Sequence, residues 1–159
     1  MKLWCMLSLL LVGSVVAQAQ SPVDLEKERA ELLKIHRLDR EAHFKTDASM
    51  LMERFPEEFI YVGEGKINKI SKEEQRKSFT EYFRDAKYFE WDDLEPPIIR
   101  LSKDGSMAWM IVRNRVRRVQ KDKSGVERER KFIYAGIMTY EKQDGKWMRT
   151  ANVSTFERQ

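Results

Sequence analysis

The sequence predicts one α+β domain, with helices first and an antiparallel sheet after them. Three observations carry this. Residues 24–45 are dominated by Glu, Lys, Arg, Ala and Leu, a helix-forming composition. From Met107 onward the chain changes to long β-branched and aromatic segments. Short turns at Asp104-Gly105, Ser124-Gly125 and Asp144-Gly145 separate those segments, the punctuation of an antiparallel meander.

Each element can be justified in order. Met1-Lys2 is a short basic start, and Leu3 to Val16 carries no charge. Ala17-Gln18-Ala19 then places small residues where a signal peptidase reads them, so residues 1–19 are expected to be a cleaved secretory signal peptide. Residues 20–159 would be the exported domain, periplasmic or secreted, with no stable membrane anchor after cleavage. Ser21-Pro22 is expected to start the first helix, with Asp24, Glu26 and Glu28 suited to its positive end. The helix runs to about Lys45. A second, short one is expected from Asp47 to Phe55, with Thr46 or Asp47 as N-cap and Pro56 as its stop. Phe59 to Val62 reads as a strand, Gly63-Glu64-Gly65 as a turn, and Lys66 to Ile70 as a return strand. Ser71-Lys72-Glu73-Glu74 is a capping box that opens a third helix reaching about Phe83. Tyr88 to Arg100 is extended, and Pro96-Pro97 gives it the character of an edge or bulge. Met107 to Gln120, Glu127 to Glu141 and Lys146 to Phe156 are the long strands.

Composition excludes more than it selects. One Cys, at position 5 inside the expected leader, rules out a disulfide scaffold and leaves the mature chain without a thiol nucleophile. The balance of 30 Lys+Arg against 26 Asp+Glu gives a net charge of only +4. Arg113, Arg115, Arg117, Arg118, Lys121 and Lys123 form a basic strand and turn, but Glu127 and Glu129 follow in the strand expected to pair with it. Cross-strand ion pairs account for that pattern, and no nucleic-acid partner is expected. There is no Gly-x-Ser-x-Gly, no phosphate-cradling Gly loop and no Cys/His metal spacing.

The order of elements resembles the nuclear-transport-factor-2-like superfamily, in its small polyketide-cyclase-like, ketosteroid-isomerase-like branch. The residues carrying the resemblance are Asp47, Phe59 to Val62, Gly65, Ser71 to Glu74, Asp104 to Trp109, Asp144 to Trp147 and Ser154. The resemblance spans essentially the whole mature chain. It implies that the antiparallel sheet curves around the helices as a cone-shaped, partly open barrel with a pocket at its open end. It also implies a homodimer formed through the outer face of the sheet. Superfamily members include isomerases, cyclases, dehydratases, assembly domains and proteins of no known activity, so the fold cannot name a function.

Candidate site residues come from periodicity. On the first helix, 100° per residue places Leu25, Leu32, His36, Asp39 and His43 in one arc, beside Ile35 and Ala42. His36 and His43 are the only two histidines, and with Asp39 they are the candidate acid/base groups. The Asp39–His43 spacing of four could set an imidazole tautomer. Seven residues between the histidines is a poor metal spacing, and no metal or cofactor is expected. In the strand from Met107, Ala108, Met110, Val112, Asn114 and Val116 form an apolar face holding one amide, so Asn114 should face the helices. Phe132, Tyr134, Met138 and Tyr140 share a face of the next strand, with Gly136 leaving room between them. Placing Arg149 outward puts Asn152 and Ser154 inward in the last strand. Asn114, Tyr134, Asn152 and Ser154 are therefore candidate ligand-contacting residues, and Tyr61 on the first strand is placed with them. Among Asp92, Asp93 and Glu95, one inward carboxylate would suit a general base; a solvated strand edge is the simpler account.

The expected function is binding of a small apolar or amphipathic ligand in the cone, with no reaction assignable. The alternatives are a lyase, isomerase or cyclase working by acid/base catalysis on a small hydrophobic substrate, and a non-catalytic dimeric interaction module.

Overall fold

The structure, a computed structural model, describes residues 23–158. The expected leader at 1–19 lies outside them. Helix α1 spans Leu25–Lys45 and is capped by Asp24, whose carboxylate accepts the Lys27 amide. The helix thus starts later than the Ser21-Pro22 pair suggested, because Asp24 supplies the capping oxygen. Thr46 closes it in a left-handed conformation. Asp47 then caps the short α2, Ala48–Met52. Strands β1 (Glu58–Gly63) and β2 (Lys66–Ser71) form a hairpin. In the capping box ahead of α3 (Lys72–Phe83), Ser71 Oγ accepts the Glu74 amide while the Glu74 carboxylate accepts the Ser71 amide.

The expected extended segment divides at its prolines into β3 (Ala86–Asp93) and β4 (Ile98–Leu101). Both pair with β5 (Met107–Lys121), β3 along its second half and β4 along its first. Strands β6 (Glu127–Gln143) and β7 (Lys146–Arg158) complete the meander. The sheet order is β2-β1-β7-β6-β5-β3, with β4 beside β5, and it does not close. One pairing departs from the expected antiparallel sheet. β1 runs parallel to β7, with Tyr61 opposite Asn152, because the chain returns to that edge only after α3 and the whole meander.

The helices cover one face of the sheet. Leu32, Ile35, Ala108, Met110, Tyr140 and Trp147 belong to one buried apolar cluster, and Ala42, Leu51, Phe55, Phe59, Phe83 and Val116 to another. On the opposite face Trp109, Ile111 and Met107 remain exposed. Arg117 bridges Glu90 and Glu129 there, a cross-strand arrangement of the expected kind. Among the described residues no helix is long and apolar enough to cross a membrane.

Leu32 is completely buried where α1 meets the sheet. Leu32→Ala should cost about 2–5 kcal/mol in chemical denaturation, whereas Ser71→Ala should cost about 1 kcal/mol through loss of the cap. Equal costs would contradict the burial assigned to Leu32.

Candidate functional site

The register of the sheet decides which side chains share its concave face. In the β5–β6 ladder, Met110 lies opposite Met138, Val112 opposite Gly136, Asn114 opposite Tyr134, and Val116 opposite Phe132. Opposite residues of an antiparallel pair lie on the same face. The apolar alternation that buries Met110 and Val116 therefore turns Asn114 and Tyr134 inward too. A bulge in β3 at Phe89 resets its alternation, so Trp91 and Asp93 come opposite Val116 and Asn114 on the inner face.

A second bulge corrects the expected orientation of β7. Tyr140 pairs with Arg149 and Thr139 with Ala151, which leaves Thr150 as the extra residue. Arg149 lies opposite the buried Tyr140 and points inward, not outward. The extra residue restores the inward direction two positions on, so Asn152 and Ser154 face inward as well.

A cavity of about 740 Å3 lies between these strands and the helices. His36, Asp39, His43, Tyr61, Asn114, Tyr134, Asn152 and Ser154, all singled out from sequence, line it together. Phe55, Phe59, Phe79, Tyr82, Trp91 and Phe132 supply aromatic wall. Gly136 permits the close approach of one polar group: a Cβ there would lie 2.5 Å from Tyr134 Oη. The Tyr134 hydroxyl donates to Asn152 Oδ1 at 3.3 Å. Burial raises its pKa to about 12, so it remains a donor.

Two polar clusters tie α1 to the wall. In the first, His36 Nε2 lies 2.8 and 2.9 Å from the two carboxylate oxygens of Asp93. Asn114 Nδ2 donates to the same carboxylate. A carboxylate accepts only, so the Nε2 proton sits on His36, and the neutral ring carries its lone pair on Nδ1. A carboxylate that orients an imidazole in this way equips it for proton transfer. Asp93 thus has the inward position that a solvated edge would deny it, while its neighbour Asp92 turns out to pair with Arg40. The signal was available: Trp91 as an inward aromatic makes the second residue after it inward.

In the second cluster Asp39 forms a buried ion pair with Arg149. Arg149 Nη2 also donates to Tyr140 Oη. Burial alone would pull Arg149 down, but the Asp39 carboxylate and the Tyr140 hydroxyl outweigh it and hold the guanidinium above its ordinary value. The Asp39 carboxylate is therefore not what orients His43. The backbone carbonyl of Asp39 does so, accepting from His43 Nδ1 at 2.7 Å. Asp39 and His43 sit one turn apart, which brings the carbonyl to the ring. His43 stacks on Trp91 at 3.5 Å between ring centroids and is flanked by Phe83 and Tyr88. Burial in this aromatic box pushes its imidazole down to about 4, against the opposing pull of the Asp39 carbonyl.

Two residues of consequence were not singled out as site residues. Asp93, weighed only as one of three acids, holds His36. Arg118, grouped by sequence with the exposed basic strand, lies on the inner face with Val116, is buried and lines the cavity. Its even-numbered place in the alternation was the available signal. Among the described residues no group of three His, Cys, Asp or Glu side chains gathers as metal ligands would.

The pH consequence of His43 has a definite sign. Folded, it stays neutral from its ordinary value of 6.5 down to about 4, whereas the unfolded chain takes up a proton there. Its contribution to stability is complete above about pH 6.5 and is lost as pH falls toward 4, by about 1.4 kcal/mol per pH unit. Proton–nitrogen NMR should find His43 as the Nδ1–H tautomer and non-titrating from about pH 8 to about pH 5, with neutral His36 as the Nε2–H tautomer. A His43 that titrates near 6.5, or an Nδ1–H His36, would contradict these assignments.

No protein-family model matches the sequence, and no curated protein matches it significantly. Solved structures do match. A ketosteroid isomerase-like protein from Erwinia carotovora atroseptica aligns with TM-score 0.62 and 14% identity, over 84% of this chain and 98% of that one. An NTF2-like protein from Cytophaga hutchinsonii gives 0.57 and 13%, over 80% and 96%. An NTF-2 like protein of unknown function from Silicibacter pomeroyi gives 0.52 and 17%, over 85% and 100%. At these identities the likeness is one of fold, and the chain has the nuclear-transport-factor-2-like, ketosteroid-isomerase-like fold: α+β, with helices packed on a curved, mostly antiparallel and unclosed sheet.

Proposed function

We propose that the chain binds one small, largely apolar molecule in the cavity between α1 and the sheet. The observation that carries this reading is the cavity itself, about 740 Å3 with aromatic walls. Small-molecule sites span roughly 300–1,000 Å3 and combine apolar walls with a few convergent polar groups. Asn114, Tyr134 and Asn152 are such groups. They would orient a ligand, while Trp91 and Phe59 would cover its body.

A second reading is favoured by one specific observation, the His36–Asp93–Asn114 hydrogen-bond cluster on the same wall. There His36 would move a proton to or from a bound substrate, with Asp93 stabilising the charge that forms on the ring. Asp93 would then be a positioning residue. This reading requires the Nε2–H tautomer of His36, so the NMR result bears on it directly.

Binding is tested by fluorescence titration with phenylnaphthylamine, a neutral apolar probe. Wild type should bind it saturably, one molecule per chain. Ser154→Trp, which places a large side chain on the cavity wall, should weaken binding about tenfold or more while the protein stays folded. Absence of saturable binding, or an unchanged affinity in Ser154→Trp, would overturn the proposal.

A further inference from the structure

Two guanidinium groups are buried on the cavity wall, and they differ in how their charge is met. Arg149 is 8% exposed and has Asp39 opposite it. Arg118 is 7% exposed, and no carboxylate among the described residues forms an ion pair with it. Its Nη1 donates to Tyr88 Oη at 3.0 Å and to the Tyr82 carbonyl at 3.4 Å. Its Nε, like that of Arg149, is buried without an acceptor. The guanidinium carbon sits 4.4 Å from the Tyr82 ring centroid and 5.7 Å from that of Tyr88.

Two neutral oxygens and two ring faces favour a cation but do not neutralise it. A buried charge is ordinarily paired, and an unpaired one is costly. His43, the titratable neighbour on α1, is neutral or cationic in either protonation state and supplies no anion. Asp39 is committed to Arg149. Glu129 also lines the cavity, at its exposed rim, and is engaged by Arg117 and Lys131. The cavity side of Arg118 is therefore where a countercharge is missing.

We infer that the molecule taken up in this cavity is an organic anion, with an apolar body against the aromatic wall and its acid group held by Arg118. This rests on the cavity being a binding site, and it adds the chemical class of the ligand. A planar guanidinium suits a carboxylate or a similar oxyanion, because charge-assisted hydrogen bonds are stronger than neutral ones. Arg149 would set the same field without surrendering Asp39.

The test uses two probes with the same aromatic body. Phenylnaphthylamine is neutral, and anilinonaphthalene sulfonate adds one anionic group. Wild type should bind the anion about tenfold or more tightly than the neutral probe, and Arg118→Gln should bring that ratio near one with neutral-probe affinity held within about threefold. Arg118→Lys should keep part of the preference. Arg113→Gln, on the exposed face of β5, should leave it unchanged. Equal affinities in wild type would overturn the inference while leaving the cavity reading intact. A ratio that survives Arg118→Gln would overturn it as well, by placing the anion elsewhere. Failure of the neutral probe to bind would sink the cavity reading and the inference together. Should Arg118→Gln lose its near-ultraviolet circular dichroism, the wild-type ratio and Arg118→Lys decide the matter.

Discussion

The Asp39–Arg149 ion pair determines how α1 lies on the sheet. Helix α1 is the longest helix among the described residues. At one end Leu32 and Ile35 pack down onto Met110, Tyr140 and Trp147. Beyond them polar contacts interrupt the apolar packing before the second cluster around Ala42. There Asp39 reaches Arg149 on β7, His36 reaches Asp93 on β3, and Arg40 donates to the Trp91 carbonyl. Polar side chains of fixed length hold the helix against the wall at set points. Removing one partner of a buried ion pair strands the other, at about 3–5 kcal/mol. The tie is therefore strong enough to fix geometry, and the space between its attachment points stays open.

The same economy explains where the chemistry sits. The cavity beside these polar ties is lined by four of the residues that make them, His36, Asp39, Asn114 and Arg149. His36, Asp93 and Asn114 anchor α1 and simultaneously present an oriented imidazole. Asp39 pairs with Arg149 through its carboxylate and fixes His43 through its carbonyl. His43, boxed between Trp91, Phe83 and Tyr88, joins the apolar wall because burial denies it a proton. The walls are thus aromatic with polar groups at fixed positions. A small amphipathic molecule could exploit that pattern.

Much of this was legible in the sequence. Helix order, the capping box at Ser71, the meander turns and the apolar alternation of β5 are local signals, and the structure carries each of them. Alternation and helical periodicity also singled out seven dispersed residues that line one cavity. What was not legible depends on contacts between distant segments. The parallel pairing of β1 with β7 joins strands some ninety residues apart and leaves no local mark. Bulges at Phe89 and Thr150 shift alternation by one residue, which composition does not announce. Asn152 and Ser154 are instructive: an outward Arg149 with unbroken alternation and an inward Arg149 with a bulge both turn them inward. Arg118 was hidden by its neighbours, since a run of arginines suggests a solvated surface until parity is counted along the strand.

The account rests on the claim that the space beneath α1 receives a molecule. A crystal structure of the protein with phenylnaphthylamine tests it most directly. The account predicts density for the probe in the cavity, against Trp91 and Phe59, with the Asp39–Arg149 pair intact. Density confined to the exposed sheet face around Trp109 and Ile111, above a cavity filled by its own side chains, would contradict it.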